Sequence, residues 1–180
     1  VRNANGDVTD RFLQGDADFQ TRKLSWVALF RTKFDSKNSL HYGMYADAMK
    51  FDLFNRNVYA NLGTDSVRIN VDDNALLLQG FVTYRHRFSE KFLAQAGVHA
   101  QYYSLNKQGA VEPRAGIQYF LSPRQSISLG YGLHNQIQSP YTSYVQTKVG
   151  SNDYITTNKN LDFTTSNHFV LTYDWNITDQ

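Results

Sequence analysis

The chain has no cysteine, only three prolines and no long apolar run. Without cysteine there is neither a disulfide framework nor a thiolate-ligated metal site. The longest apolar runs cover residues 26–30 and 75–78, far short of the roughly 20 residues of a spanning helix. Charge of one sign is also lacking. Eighteen basic residues face sixteen acidic ones, a formal net charge of +2, so there is no basic footprint for nucleic acid. Charged residues are 19% and apolar residues 41% of the chain, and the gap is filled by 15 Asn and 12 Gln. The 26 aromatics are far too many for a chain that cannot collapse. An initiator Met and a leader segment are absent, and residues 176–180 read like the middle of a turn. The expectation is a processed product or a fragment, at most one domain over residues 1–180.

What is present is a period of two. In residues 126–136, Ile127, Leu129, Tyr131 and Leu133 alternate with Ser126, Ser128, Gly130, Gly132, His134 and Gln136. That is the signature of a strand with one apolar face. Residues 168–175 repeat it, with Phe169, Leu171, Tyr173 and Trp175 against His168, Thr172 and Asp174. Similar alternation covers 79–88, 94–102 and 114–121, and more weakly 24–34 and 40–48. Past Ala48 the apolar set slips to Met49, Phe51 and Leu53. A bulge would explain the slip; a short helix over 46–54 competes. The pattern predicts seven strands, long against the usual mode of about 5 to 6 residues.

The spaces between these strands alternate. Residues 35–38, 89–90 and 122–125 read as tight turns. Residues 55–74 and 139–163 read as long loops, and 105–109 as an intermediate one. Short turns at one end and long loops at the other, joined by strands with one apolar and one polar face, are the marks of a transmembrane β-barrel. Such a wall needs only half of each strand to be apolar, because the other half lines a wet lumen. The Gln, Ser, Thr, His and Arg of the second face fit that half. Phe34, Phe88, Tyr119 and Trp175 toward the short turns, and Trp26, Tyr102 and Tyr131 toward the long loops, fit two interfacial belts. A soluble antiparallel sandwich or barrel has the same alternation with the apolar face inside.

The segments Val111-Glu112-Pro113-Arg114, Ile117-Gln118-Tyr119, Leu121-Ser122-Pro123 and Leu129-Gly130-Tyr131-Gly132-Leu133-His134 resemble the barrel of TonB-dependent outer-membrane receptors, in particular their SusC-related, carboxypeptidase-regulatory-like branch. The resemblance continues at Asn158-Lys159-Asn160-Leu161-Asp162-Phe163 and through residues 168–174, and it covers roughly residues 76–178. It implies an antiparallel transmembrane wall of about seven up-and-down strands, part of a 22-stranded barrel closed by a plug. The plug and the remaining strands are not in this chain. By the same resemblance the location is the bacterial outer membrane. The function is energy-coupled import of a bulky nutrient: a siderophore, vitamin, oligosaccharide or peptide. The implied partners are outer-membrane lipid, the TonB complex reached through the plug, and a surface lipoprotein. No cofactor is implied.

On this reading Ile127, Leu129, Tyr131, Leu133, Phe169, Leu171, Tyr173 and Trp175 face lipid. His134, Gln136 and His168 lie on the upper lumen wall, and Tyr141, Tyr144 and Tyr154 are loop rings able to stack on a ligand. His134 and His168 also invite a metal site, but no ligand spacing supports one. Catalysis is not expected. The pairs His134 with Ser128 and His168 with Asp174 are about 20 Å apart along a strand, at roughly 3.3 Å per residue, and no Gly-x-Ser-x-Gly occurs. The alternative is a small self-contained outer-membrane barrel with a structural or adhesive role. It needs an eighth strand, which only residues 1–15 could supply.

Overall fold

The computed structural model describes residue 5 and residues 15–59, 64–150 and 153–177. The fold is all-β. Strands β1 (Gly15–Lys33), β2 (Asn38–Tyr59), β3 (Thr64–Arg87), β4 (Phe92–Tyr103), β5 (Gln108–Ser122), β6 (Gln125–Gln136) and β9 (Thr164–Trp175) form one antiparallel seven-stranded sheet in the order β1-β2-β3-β4-β5-β6-β9. Between β6 and β9 lie a one-turn helix α1 (Pro140–Tyr144) and a small hairpin of β7 (Gln146–Lys148) with β8 (Tyr154–Thr156). Every expected strand is there. The candidate eighth strand over residues 1–15 lies, apart from residues 5 and 15, outside the described residues.

Two expectations are corrected. Residues 55–74 are not a twenty-residue loop. Residues 55–59 extend β2, and 64–74 are the first half of β3, which is 24 residues long. Val67, Ile69 and Val71 alternate there with Arg68, Asn70 and Asp72, so the strand signal is as clean as in the segments recognised. The 139–163 connection is the one long link, and it is built rather than open, since it carries α1, β7 and β8. The third connection at that end closes in a turn over residues 104–107, with Lys107 at φ 57° and the Asn106 carboxamide oxygen accepting from the Gln108 N–H at 3.1 Å.

The chain divides into two compact units. The first takes Val1–Lys23, Met49–Asn74 and Ser139–Leu161; the second takes Leu24–Ala48, Ala75–Gln138 and Asp162–Gln180. They differ in which face is apolar. In the second unit one face exposes an apolar row: Leu76, Leu78, Val82 and Tyr84 on β3, Ile117 and Tyr119 on β5, Ile127 and Leu129 on β6. The other face there is covered and mainly polar, with Gln101, Glu112 and Ser126 buried and Leu77, Leu93 and Tyr103 beside them. We call this the belt unit. In the first unit Phe51, Leu53 and Ile69 are buried on one face, while Lys50, Asp52, Arg68 and Asn70 are exposed on the other. We call it the capped unit.

This contrast accounts for the slip past Ala48. Covered positions on β2 stay odd-numbered from Gly43 through Tyr45, Asp47 and Met49 to Phe51 and Leu53. On β3 they stay odd-numbered from Val67 to Arg87. The strand neither turns into a helix nor swaps its faces. The chemistry changes faces instead, between Ala48 and Met49 on β2 and near Asn74 on β3.

Glycines set the closeness of the belt strands. A Cβ on Gly97 would sit 2.5 Å from the Val82 carbonyl oxygen of β3, and one on Gly43 would sit 2.7 Å from the Ala28 carbonyl oxygen of β1. In both cases the obstacle is backbone, which cannot step aside.

Candidate functional site: a polar cluster on the covered face of the belt unit

The register places the polar members of β3, β4, β5, β6 and β9 side by side. Gln79 lies opposite Gln101 and Phe81 opposite His99. His99 lies opposite Glu112 and Gly97 opposite Arg114. Arg114 lies opposite Gly132, Gly132 opposite His168 and His134 opposite Ser166. Because side chains alternate across a strand, these residues project onto one face.

Glu112 is the hub, its carboxylate 2% exposed. It accepts from the Arg114 guanidinium at 2.7 Å, His99 Nδ1 at 3.0 Å, the Gln101 amide at 3.0 Å and the Asn135 backbone N–H at 2.9 Å. A buried carboxylate without such partners would cost several kcal/mol, about the effective desolvation penalty of one ion; four donors, one of them a cation, offset it. The Gln101 amide also donates to the Asn135 carbonyl at 2.7 Å, and His99 Nε2 lies 3.3 Å from the Gln79 side-chain oxygen. This network ties β3, β4, β5 and β6 across their covered face. It ties the sheet together, and the half-exposed Arg114 guanidinium keeps further N–H donors beyond it.

From the hub the cluster reaches the two histidines. Arg114 donates to His134 Nδ1 at 3.4 Å, and the His134 and His168 rings stand 4.6 Å apart. His168 Nε2 is 3.0 Å from the Ser166 hydroxyl. Two clefts of about 460 Å³ open here. One is lined by Arg85, Arg114, His134, His168 and Thr172, the other by Gln79, His99, Glu112 and Asn135, and Arg114 and His134 border both.

The structure thus brings together His134 and His168. Gln136 is at the end of β6 opposite Thr164, exposed. The three tyrosines part company. Tyr141 is exposed and packs edge-on against Phe19 at 5.4 Å. Tyr154 is half-buried with the Lys148 ammonium 6.0 Å from its ring. Tyr144 is not a free loop ring: it is 2% exposed, packs against Phe51 at 6.0 Å and donates its hydroxyl to Asp73 at 2.9 Å. Lys159 meets the same carboxylate at 3.1 Å. Burial alone would raise the Asp73 pKa, but the Asn74 N–H, Lys159 and Tyr144 outweigh it and hold the carboxyl below the usual range.

Of the residues named to face lipid, Ile127, Leu129, Phe169, Leu171, Tyr173 and Trp175 are exposed, while Tyr131 and Leu133 are half-covered. The Tyr131 ring lies 5.0 Å from Phe169, and its hydroxyl donates to Asn167 at 2.9 Å. The residues that sequence reasoning missed are Glu112, His99 and Gln101. Their inward phase was legible, but nothing in a sequence tells a hub carboxylate from an ordinary polar position. Ser166 beside His168 was likewise unseen, and the neighbour of that imidazole is another imidazole rather than a carboxylate. Among the described residues no three His, Asp or Glu side chains gather as a metal site. Compared with known proteins, the chain matches no family model, no curated protein and no solved structure.

Proposed function

We propose that this chain forms part of the barrel wall of a TonB-dependent outer-membrane receptor that imports a bulky nutrient. One observation carries the reading. Across neighbouring strands of the belt unit, an exposed apolar row alternates with a covered polar row, as at Ile127, Leu129 and Ile117 against Ser126, Ser128 and Gln118. A soluble sheet buries its apolar row, and the capped unit does so. The belt strands β4, β6 and β9 are 12 residues each, long enough for the 9 to 11 tilted residues (about 45°) of a spanning strand. Exposed Trp26 and Trp175 suit an interfacial position. The polar clefts on the covered face of the belt unit supply polar surface to a ligand. Energy would reach it through a plug and the TonB complex.

This chain has no cysteine of its own, so cysteine labelling tests it once any cysteine elsewhere in the natural protein is replaced. Single-cysteine variants of the natural protein at Leu129, Ser128, Ile127 and Ser126 are labelled in intact outer membranes with a water-soluble maleimide. Labelling at Ser128 but not at Leu129 and Ile127 is expected, with the buried Ser126 position slower than Ser128. Equal labelling of all four, or recovery of the protein from the soluble fraction, overturns the reading. The transport half requires that ligand uptake stop when the proton gradient is dissipated.

A further inference from the structure

The polar face of the belt unit carries cations that no described residue neutralises. Arg31 and Lys33 on β1, with Arg85 and Arg87 on β3, line a cleft of about 660 Å³ beside the turns at 34–37 and 88–91. Among the described residues none of the four has an ion-pair partner. Arg87 sits 5.8 Å from the Phe120 ring, which orients the guanidinium without cancelling its charge.

Two acids border this cleft, and one is engaged. Asp35 accepts from the Lys37 N–H at 2.7 Å, the Asn38 N–H at 2.8 Å and the Asn38 amide at 2.7 Å, so both its oxygens serve the turn. Asp35 keeps its charge there, so with Glu90 it sets two carboxylates against five cations, Lys37 included. Arg85 also borders the first of the 460 Å³ clefts, which it shares with Arg114 and which no Asp or Glu lines. Cations that converge on a concave surface repel one another unless an anion enters. Forked guanidinium donors beside a point-like ammonium are the donor set for oxyanions, and the rim adds the hydroxyls of Ser36, Ser39 and Ser89.

We propose that this cleft binds a small, multiply charged anion bearing phosphate, sulfate or carboxylate groups. The inference names a ligand chemistry for the wall and rests on the receptor reading only in taking the covered face as open to water.

The test is calorimetric titration of the natural protein, folded in detergent, with inorganic pyrophosphate and separately with citrate. Saturable binding that weakens as salt rises is expected. Arg85→Gln and Arg31→Gln should each weaken it roughly tenfold, the loss of one charge-assisted contact; Arg85→Lys should retain most of it. Lys50→Gln, which removes a cation paired with Asp72 in the capped unit, should change nothing. The proposal falls if folded protein shows no saturable heat with either anion. It also falls if Arg85→Gln and Arg31→Gln bind like the parent, if Lys50→Gln loses as much as they do, or if only an acidic peptide binds. A protein that labels as a barrel wall yet ignores both anions overturns this inference alone; one that binds them from the soluble fraction overturns the receptor reading alone.

Discussion

The capped and belt units use the same strands for opposite purposes. On β3 the odd-numbered positions are covered throughout. They are Val67, Ile69, Val71 and Asp73 in the capped unit; in the belt unit Ala75, Leu77 and Phe81 are joined by Gln79, Thr83, Arg85 and Arg87. The even-numbered positions run from Arg68, Asn70 and Asp72 to Leu76, Leu78, Val82 and Tyr84. Backbone geometry decides which side chains share a face, and the surrounding medium decides what those side chains must be. The apolar row is buried in one unit and exposed in the other.

The comparison can be broken by substitution. The largest effect should come from Phe51→Ala, which empties a fully buried ring site in the capped unit and should cost about 3–5 kcal/mol in urea unfolding. Phe169→Ala, on the exposed face of the belt unit, should cost clearly less; equal losses would mean that the two regions share one kind of core. Next, Leu129→Arg should destabilise insertion into lipid vesicles by about 2–4 kcal/mol, the cost of a cation near the bilayer midplane. Asn70→Arg should stay within about 0.5 kcal/mol, as for an ordinary surface change. If Leu129→Arg is equally silent, the belt does not meet lipid.

A smaller effect sharpens the account of the capped unit. The Asp73 carboxyl is held below its ordinary range, so its contribution is fully present above the unfolded carboxylate pKa. It is lost as pH falls through the lower folded value. Acid should therefore loosen α1, seen as faster proteolysis between residues 140 and 160. Asp73→Asn should produce the same loosening at neutral pH, with a loss of about 1 kcal/mol for the partly exposed tie. Smallest of all, Lys107→Gly should gain about 0.5 kcal/mol, because glycine takes the positive φ without the steric penalty.

Much of this was legible. Alternation located all seven long strands, and the inward phase of His134 and His168 followed from it. The missed half of β3 shows the limit. Val67, Ile69 and Val71 alternate cleanly, but an expectation of long loops at that end turned them into loop. Met49, Phe51 and Leu53 looked like a slip for a related reason, since a face was assumed to keep one chemistry along its length. A loop tyrosine reads as a free stacking ring, whereas Tyr144 is buried. Its burial depends on Phe51, Asp73 and Lys159, partners far away in sequence. The Glu112 hub depends on register between four strands, which a single chain of letters does not contain.

The exchange of chemistry between faces on β2 carries a consequence for insertions and deletions. Because facing repeats every two residues, removing one residue near position 49 would invert every side chain on one side of the cut. Either the Phe51 and Leu53 pair would be turned out to water, or the Tyr42 and Met44 row would be turned in. Removing two residues keeps every face correct and only moves the changeover along the strand, by roughly 7 Å at about 3.3 Å per residue. Length variation in this hairpin should therefore be tolerated in steps of two, with odd steps excluded.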